Sequence, residues 1–198
     1  MAGVDRAIFY WINNWPRSFA PTFYFFSEAT KDPGYKKNII IALGAILLAM
    51  VVRGGKPRTA ALLALLAWPL ANEFSEAFKL AIPLLRPCND LPNVQMIPGI
   101  GPLTTFGTVS SHAANMAAVA TVFTFYLRGW ATPWIIVAVL TGLSRIYVGL
   151  HYPSQVLAGW TCGALCGTVV VYSWRAFLKS RNLVSNEPVE IIDASHQA

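Results

Sequence analysis

The stretch 154–177, SQVLAGWTCGALCGTVVVYSWRAF, decides the fold. It holds no charged side chain before Arg175. A helix of about 20 residues crosses a hydrocarbon core about 30 Å thick, so this run predicts a membrane span. Four further apolar runs precede it, near 38–53, 59–82, 107–127 and 131–149. The composition agrees: of 198 residues, 55% are hydrophobic and 12% charged. A soluble domain carries roughly 25% charged residues. The shortfall leaves too little charge to cover a solvated surface, which argues against a soluble enzyme, a nucleic-acid module and a disordered chain. The expected fold class is an all-α integral membrane protein with about five transmembrane helices plus N-terminal interfacial or re-entrant helices. It forms one membrane-embedded domain, 1–181, followed by a loose polar tail, 182–198.

Charge orients the spans. Arg53, Lys56 and Arg58 join the first and second, Arg128 joins the third and fourth, and Arg175, Lys179 and Arg181 follow the fifth. If the spans alternate, all of these fall on one side, which the positive-inside rule makes cytoplasmic. Lys31, Lys36 and Lys37 fall on the other side. The expected location is a bacterial inner (cytoplasmic) membrane, with the loop 83–106 and the turn 150–153 on the extracytoplasmic face. The segment 4–29 is rich in aromatics but interrupted by Asn13, Asn14, Pro16, Arg17 and Glu28. That mixture predicts one or two helices lying in the interface, or a re-entrant hairpin. Gly159, Gly163 and Gly167 recur every fourth residue, and the third run carries Ala113, Ala114, Ala117 and Ala118. Both sets predict tight helix packing in lipid, and the glycines would also allow a homodimer. Cys88, Cys162 and Cys166 make no paired framework and read as packing thiols.

With so little charge, ionisable residues near the spans are the informative ones. His112 opens the third run and His151 follows the fourth. Lys79 and Arg86 lie near the end of the second run, seven residues apart and so on one helical face. Arg86 precedes Pro87, a natural helix end. Ser110, Ser111 and His112 sit at a helix start, where free N–H groups and the dipole favour an anion. Arg145 lies about a turn inside the fourth run, and Gly149 can break the helix before His151. Three cations, two imidazoles, two hydroxyls and a helix N-terminus thus converge on one end of the bundle. This reads as an anion site with no metal and no cofactor, since its histidines lack the carboxylate partners of a metal centre. Glu76 reads as a structural partner of Lys79, three residues on.

The pattern Lys79-x6-Arg86-Pro87, Ser110-Ser111-His112 and Ser144-Arg145-x5-His151-Tyr152-Pro153 resembles the three-part signature of the type 2 phosphatidic acid phosphatase superfamily. These are metal-independent membrane phosphatases for lipid phosphates and diphosphates, related to vanadium haloperoxidases. The resemblance covers about 79–155. It implies that His151 is the nucleophile, forming a phosphohistidine, and that His112 is the acid protonating the leaving oxygen. It also implies that Lys79, Arg86 and Arg145 bind the phosphoryl oxygens, with Ser110 and the N–H groups at the start of the third span. Ser111, beside Ser110 at the same helix start, reads as a further phosphate-binding hydroxyl.

The chain departs from the family pattern at three positions. Val109 stands in place of Pro, Ser111 in place of Gly, and Gln155 in place of the Asp that orients the nucleophile. A Gln carbonyl can still accept an imidazole N–H, but it brings no negative charge. Two functions follow as expectations. One is a lipid phosphatase acting on undecaprenyl diphosphate, lipid A 1-phosphate, phosphatidylglycerol phosphate or phosphatidic acid, the first two fitting a short chain best. The other is a non-catalytic lipid-phosphate-binding or assembly subunit of the same fold. In both, the partners are a membrane lipid phosphate and the bilayer, with no nucleic acid. The loop 87–106 is either a lid over the site or a plain connection.

Overall fold

A computed structural model describes residues 3–181; the tail expected at 182–198 lies outside the described residues. Within them the chain is helical with no strand, in the order α1 (Gly3–Asn13), α2 (Ala20–Glu28), α3 (Pro33–Arg53), α4 (Gly55–Ala81), the single turn α5 (Pro87–Asp90), α6 (Ser111–Tyr126), α7 (Arg128–Tyr147) and α8 (Pro153–Ser180). Proline at the first helical position starts α3, α5 and α8, where its missing N–H costs nothing. Asp32 caps α3 by accepting the Gly34 N–H at 2.7 Å.

Three helices, α3, α7 and α8, are long and apolar enough to cross a membrane. α4 has 27 residues but carries Glu73, Glu76 and Lys79, and α6 has 16 residues. α1 and α2, with 11 and 9 residues, are too short to span. They pack against α7, as short helices rather than a crossing segment. Exposed Leu62, Leu66, Trp68, Leu165 and Val169 cover the outside of the bundle. Such an apolar exterior suits lipid and would aggregate in water. α3 leans on α4 and buries none of its own residues.

α6 is the hub, packed against α8, α4 and α7. Its alanines face the glycines of α8, and Ala114, Ala118, Ala60, Ala64 and Ala67 are buried together. A Cβ built on Gly159 would stand 2.6 Å from the Ser110 carbonyl oxygen, and one on Gly167 2.8 Å from that of Ala118. One on Gly163 would collide with the Ala114 backbone. The stripe therefore serves the α6–α8 contact inside the chain, the helix packing expected of it.

The third apolar run folds differently from its hydropathy. Its first four residues, 107–110, stay outside the helix, bending at Thr108 and Val109, and the helix begins at Ser111. The Gly107 N–H donates to the Leu84 carbonyl at 2.8 Å and the Ser110 N–H to the Gln155 carbonyl at 3.0 Å. The loop after α5 is tucked inward. Ile97 and Ile100 are buried with Phe9, Ile12 and Tyr147. Asn13 donates to the carbonyls of Gln95 and Tyr147, so α1 binds this loop to the end of α7.

Gly163→Ala should lower the thermal unfolding temperature in detergent, the overpacking costing about 1–3 kcal/mol. Gly44→Ala is the control, since a Cβ there meets nothing within 4 Å. On an exposed helix face it should be neutral or stabilising by up to about 1 kcal/mol.

Candidate functional site

The helix directions bring the expected residues to one end. Lys79 lies in the last turn of α4, Arg145 in the last turn of α7, and Ser110–His112 at the start of α6. His151 lies in the link before α8. Arg53, Arg128 and Arg175 sit at the opposite ends of their helices. α7 stops where Gly149 turns to φ +82°, a conformation natural to glycine. The turn lets the N–H groups of Leu150 and His151 both close on the Arg145 carbonyl, at 3.0 and 3.1 Å.

The imidazole of His151 is buried and held at both nitrogens. Arg86 Nη1 lies 2.8 Å from its Nε2. A guanidinium can only donate, so Nε2 accepts and the ring proton sits on Nδ1. Nδ1 then donates to the Gly107 carbonyl at 3.1 Å and the Gln155 Oε1 at 3.2 Å. Gln155 also accepts the Tyr152 N–H at 3.1 Å and donates to the Leu85 carbonyl at 3.0 Å. A side chain at position 107 would strike Gln155 and Arg86, at 2.8 and 2.9 Å, so glycine is required for this approach.

Arg86 engages all five of its N–H groups. Besides His151 it donates to the carbonyls of Thr105, Phe106 and Leu150 and to the Thr105 hydroxyl. Burial, with Arg145 close by, lowers its pKa to about 10, which leaves it charged at neutral pH. Lys79 Nζ donates to Glu76 Oε1 and to Ser111 Oγ, both at 2.6 Å, and Ser111 Oγ donates to the same carboxylate at 2.8 Å. The Lys79–Glu76 pairing thus has the geometry expected of it. Arg145, 1% exposed, pairs with Glu28 Oε1 at 2.7 Å. Two buried polar atoms of the site, Ser110 Oγ and Arg145 Nε, have no hydrogen-bond partner among the described residues. His112, partly buried, is in the first turn of α6, two residues after Ser110.

All of the residues expected from the sequence therefore gather at this end. Ser27, Glu28, Thr105 and Gly107 were not expected there. Glu28 was visible as an acidic interruption of an aromatic segment; the others act mostly through backbone carbonyls, which leave no trace in side-chain patterns. An apolar groove of about 590 Å³ runs from Thr108 and Val109 between α4 and α8, past Phe74, Phe78, Ala158 and Cys162 to Val169.

A membrane-embedded helical bundle with a buried cationic site and an imidazole aimed into it defines a class of anion-handling membrane proteins. A family model described as the PAP2 superfamily matches residues 59–179, and the chain belongs to that superfamily. It is 31% identical over 132 residues to an undecaprenyl-diphosphatase of Sulfolobus acidocaldarius, covering 65% of this chain and 57% of that protein. The chain thus spans under two thirds of that relative's length. Among solved structures it is similar in fold to LpxE of Aquifex aeolicus, with a TM-score of 0.69 at 23% identity over 86% of this chain and 96% of that one. It is also similar in fold to a PAP2-type phosphatidylglycerolphosphate phosphatase of Bacillus subtilis, with a TM-score of 0.50 at 19% identity over 87% and 95%.

Burial, reinforced by the charges of Arg86, Arg145 and Lys79, holds the His151 pKa well below its ordinary 6.5. The unfolded chain therefore binds the extra proton first. Stability from this residue is full above about pH 6.5 and is lost as pH falls from there through the folded pKa. Melts in detergent should show a lower Tm at about pH 5.5 than at about pH 7.5, and His151→Asn should shrink the difference.

Proposed function

We propose that the protein is a membrane lipid phosphatase that removes a phosphate from an envelope lipid phosphate or diphosphate through a phosphohistidine on His151. The observation that carries the reading is the fixing of that ring. Its Nδ1 proton is held by Gly107 and Gln155, which leaves the Nε2 lone pair facing the cations. Nε2 attacks phosphorus while the bond to the lipid oxygen breaks, and His112 gives its proton to that oxygen. Water then attacks the phosphohistidine, His112 takes its proton, and phosphate leaves. Lys79, Arg86 and Arg145 balance charge on the phosphoryl oxygens, with Ser110 and the free N–H groups at the start of α6. The unpartnered Ser110 Oγ and Arg145 Nε support this assignment. Arg86 must release Nε2 as phosphate arrives, exchanging one acceptor for another. Ser111 acts through Lys79, to which it is bonded.

The lipid tail lies in the groove between α4 and α8, whose upper end at Thr108–Val109 adjoins Ser110. Undecaprenyl diphosphate or lipid A 1-phosphate is the proposed substrate, and the undecaprenyl-diphosphatase relative supports the former. Five helices, α3, α4, α6, α7 and α8, cross the cytoplasmic membrane, and the site opens on the extracytoplasmic face. The basic residues at the opposite helix ends support that orientation. A second reading, a non-catalytic lipid-phosphate-binding or assembly subunit, is favoured by Gln155, which brings no charge to the imidazolium-like transition state.

Purified protein in detergent with EDTA, offered undecaprenyl diphosphate, lipid A 1-phosphate, phosphatidylglycerol phosphate and phosphatidic acid, should release phosphate from at least one. His151→Ala should abolish release. His112→Ala should slow it most for monoesters, whose alkoxide leaving group needs the proton more than a phosphate does. Binding of a lipid phosphate without release would favour the second reading, and an absolute need for a divalent ion would overturn the proposed chemistry.

Gln155→Ala should keep phosphate binding but lower kcat about 5- to 10-fold, the rate equivalent of one neutral hydrogen bond. An unchanged kcat in folded protein would assign the orienting role to Gly107 alone.

A further inference from the structure

Arg145 is held from outside the family-matched region. Its Nη1 donates to three acceptors, all on α2: Ser27 Oγ at 2.5 Å, Glu28 Oε1 at 2.7 Å and the Ser27 carbonyl at 3.3 Å. Ser27 is 2% exposed, and its hydroxyl donates in turn to Glu28 Oε1 at 3.0 Å. The second Glu28 oxygen meets Lys31 Nζ at 3.3 Å. Burial alone would push the Glu28 carboxyl up, but Arg145 and Lys31 outweigh it and keep it below its ordinary value, so it is ionised. α2 is fixed in turn, since Phe23 packs on Tyr147 with ring centroids 4.6 Å apart and the planes tilted by 32°. The opposite edge of the guanidinium is different. Nε is buried yet has no partner among the described residues. A planar fork gripped at one nitrogen can rotate only about that grip. Three acceptors on one nitrogen remove the rotation and leave the other edge for a ligand.

We propose that Glu28 and Ser27 are positioning residues for Arg145: they grip its Nη1 from α2 and so present the Nε edge to a phosphoryl group. The assignment rests on the phosphatase reading of the site and deepens it, because a segment outside residues 59–179 then completes the phosphate subsite. A carboxylate so close to an anion also repels it. Positioning and repulsion predict opposite signs, which makes them separable.

The experiment compares three variants of the full chain in detergent, with inorganic phosphate as probe. Ser27→Ala and Glu28→Asp keep the charge and change the grip. Glu28→Gln keeps the size and an acceptor and removes the charge. Positioning predicts that Ser27→Ala weakens phosphate binding by about 3- to 5-fold and Glu28→Asp by about tenfold, the loss of a neutral and of a charge-assisted contact. On the best lipid, kcat/KM should fall by similar factors. Glu28→Gln should weaken binding less than Glu28→Asp. Tighter phosphate in Glu28→Gln, with the other two unchanged, overturns positioning in favour of repulsion. A lower Tm with phosphate affinity and kcat/KM unmoved overturns it in favour of plain anchoring. Should Glu28→Asp not fold, Ser27→Ala carries the test, since it leaves the ion pair in place. Wild-type protein that binds phosphate but hydrolyses no lipid ends the phosphatase reading and leaves this one to be decided by the binding data.

Discussion

The backbone contact between α6 and α8 is the constraint on which everything else depends. Gly159 lets the Ser110 carbonyl lie against α8, and the Ser110 N–H closes on the Gln155 carbonyl. That approach sets the start of α6 beside the start of α8. The Gly107 carbonyl then comes within reach of the His151 Nδ1, and Ser111 within reach of Lys79 on the neighbouring α4. A larger residue in the stripe would separate the two helix starts, and with them the hydroxyls and the imidazole. Packing by small residues, which in lipid takes the place of a hydrophobic driving force, is thus also what assembles the chemistry.

Around that contact the structure solves a charge problem. Lys79, Arg86 and Arg145 are all buried, and an isolated buried cation is strongly disfavoured. Each is resolved differently. Lys79 has a carboxylate one turn away on its own helix, and Arg145 has one from α2. Arg86 has none within contact and is surrounded by carbonyl oxygens, one hydroxyl and one imidazole. Arg86 is therefore the cation whose charge is least neutralised locally.

Much of this was legible in the sequence because it is written in side chains. The Ser–Ser–His start of α6 and the Arg145–His151 interval pointed to the end of the bundle where these residues meet. The single helical face expected for Lys79 and Arg86 did not form, because α4 stops at Ala81 and Arg86 lies beyond it in extended backbone, with Pro87 starting α5 instead of ending a helix. Three further things were not legible. The residues 107–110 are as apolar as the helix they precede, so hydropathy extended the helix over them. The acceptors around Arg86 and His151 are largely backbone carbonyls, which every residue owns. Glu28 meets Arg145 across a separation of 117 residues, and no local period links them. The N-terminal segment could be read as interfacial from its mixed composition, but its grip on the site could not.

α3 fully buries no residue and touches mainly α4, with Met50 packed against the core and Tyr35 against Phe25, so most of its side chains answer to the lipid around them. Any sequence that is helical, apolar and of similar length satisfies that demand. The consequence is uneven drift. Among descendants of this chain, α3 should wander freely within the vocabulary of Leu, Ile, Val, Ala and Phe, while α6, confined between three neighbours, should hold nearly still. A comparison that aligned such descendants end to end would find its landmarks on α6 and α8, and would find in α3 little more than a hydrophobic rhythm.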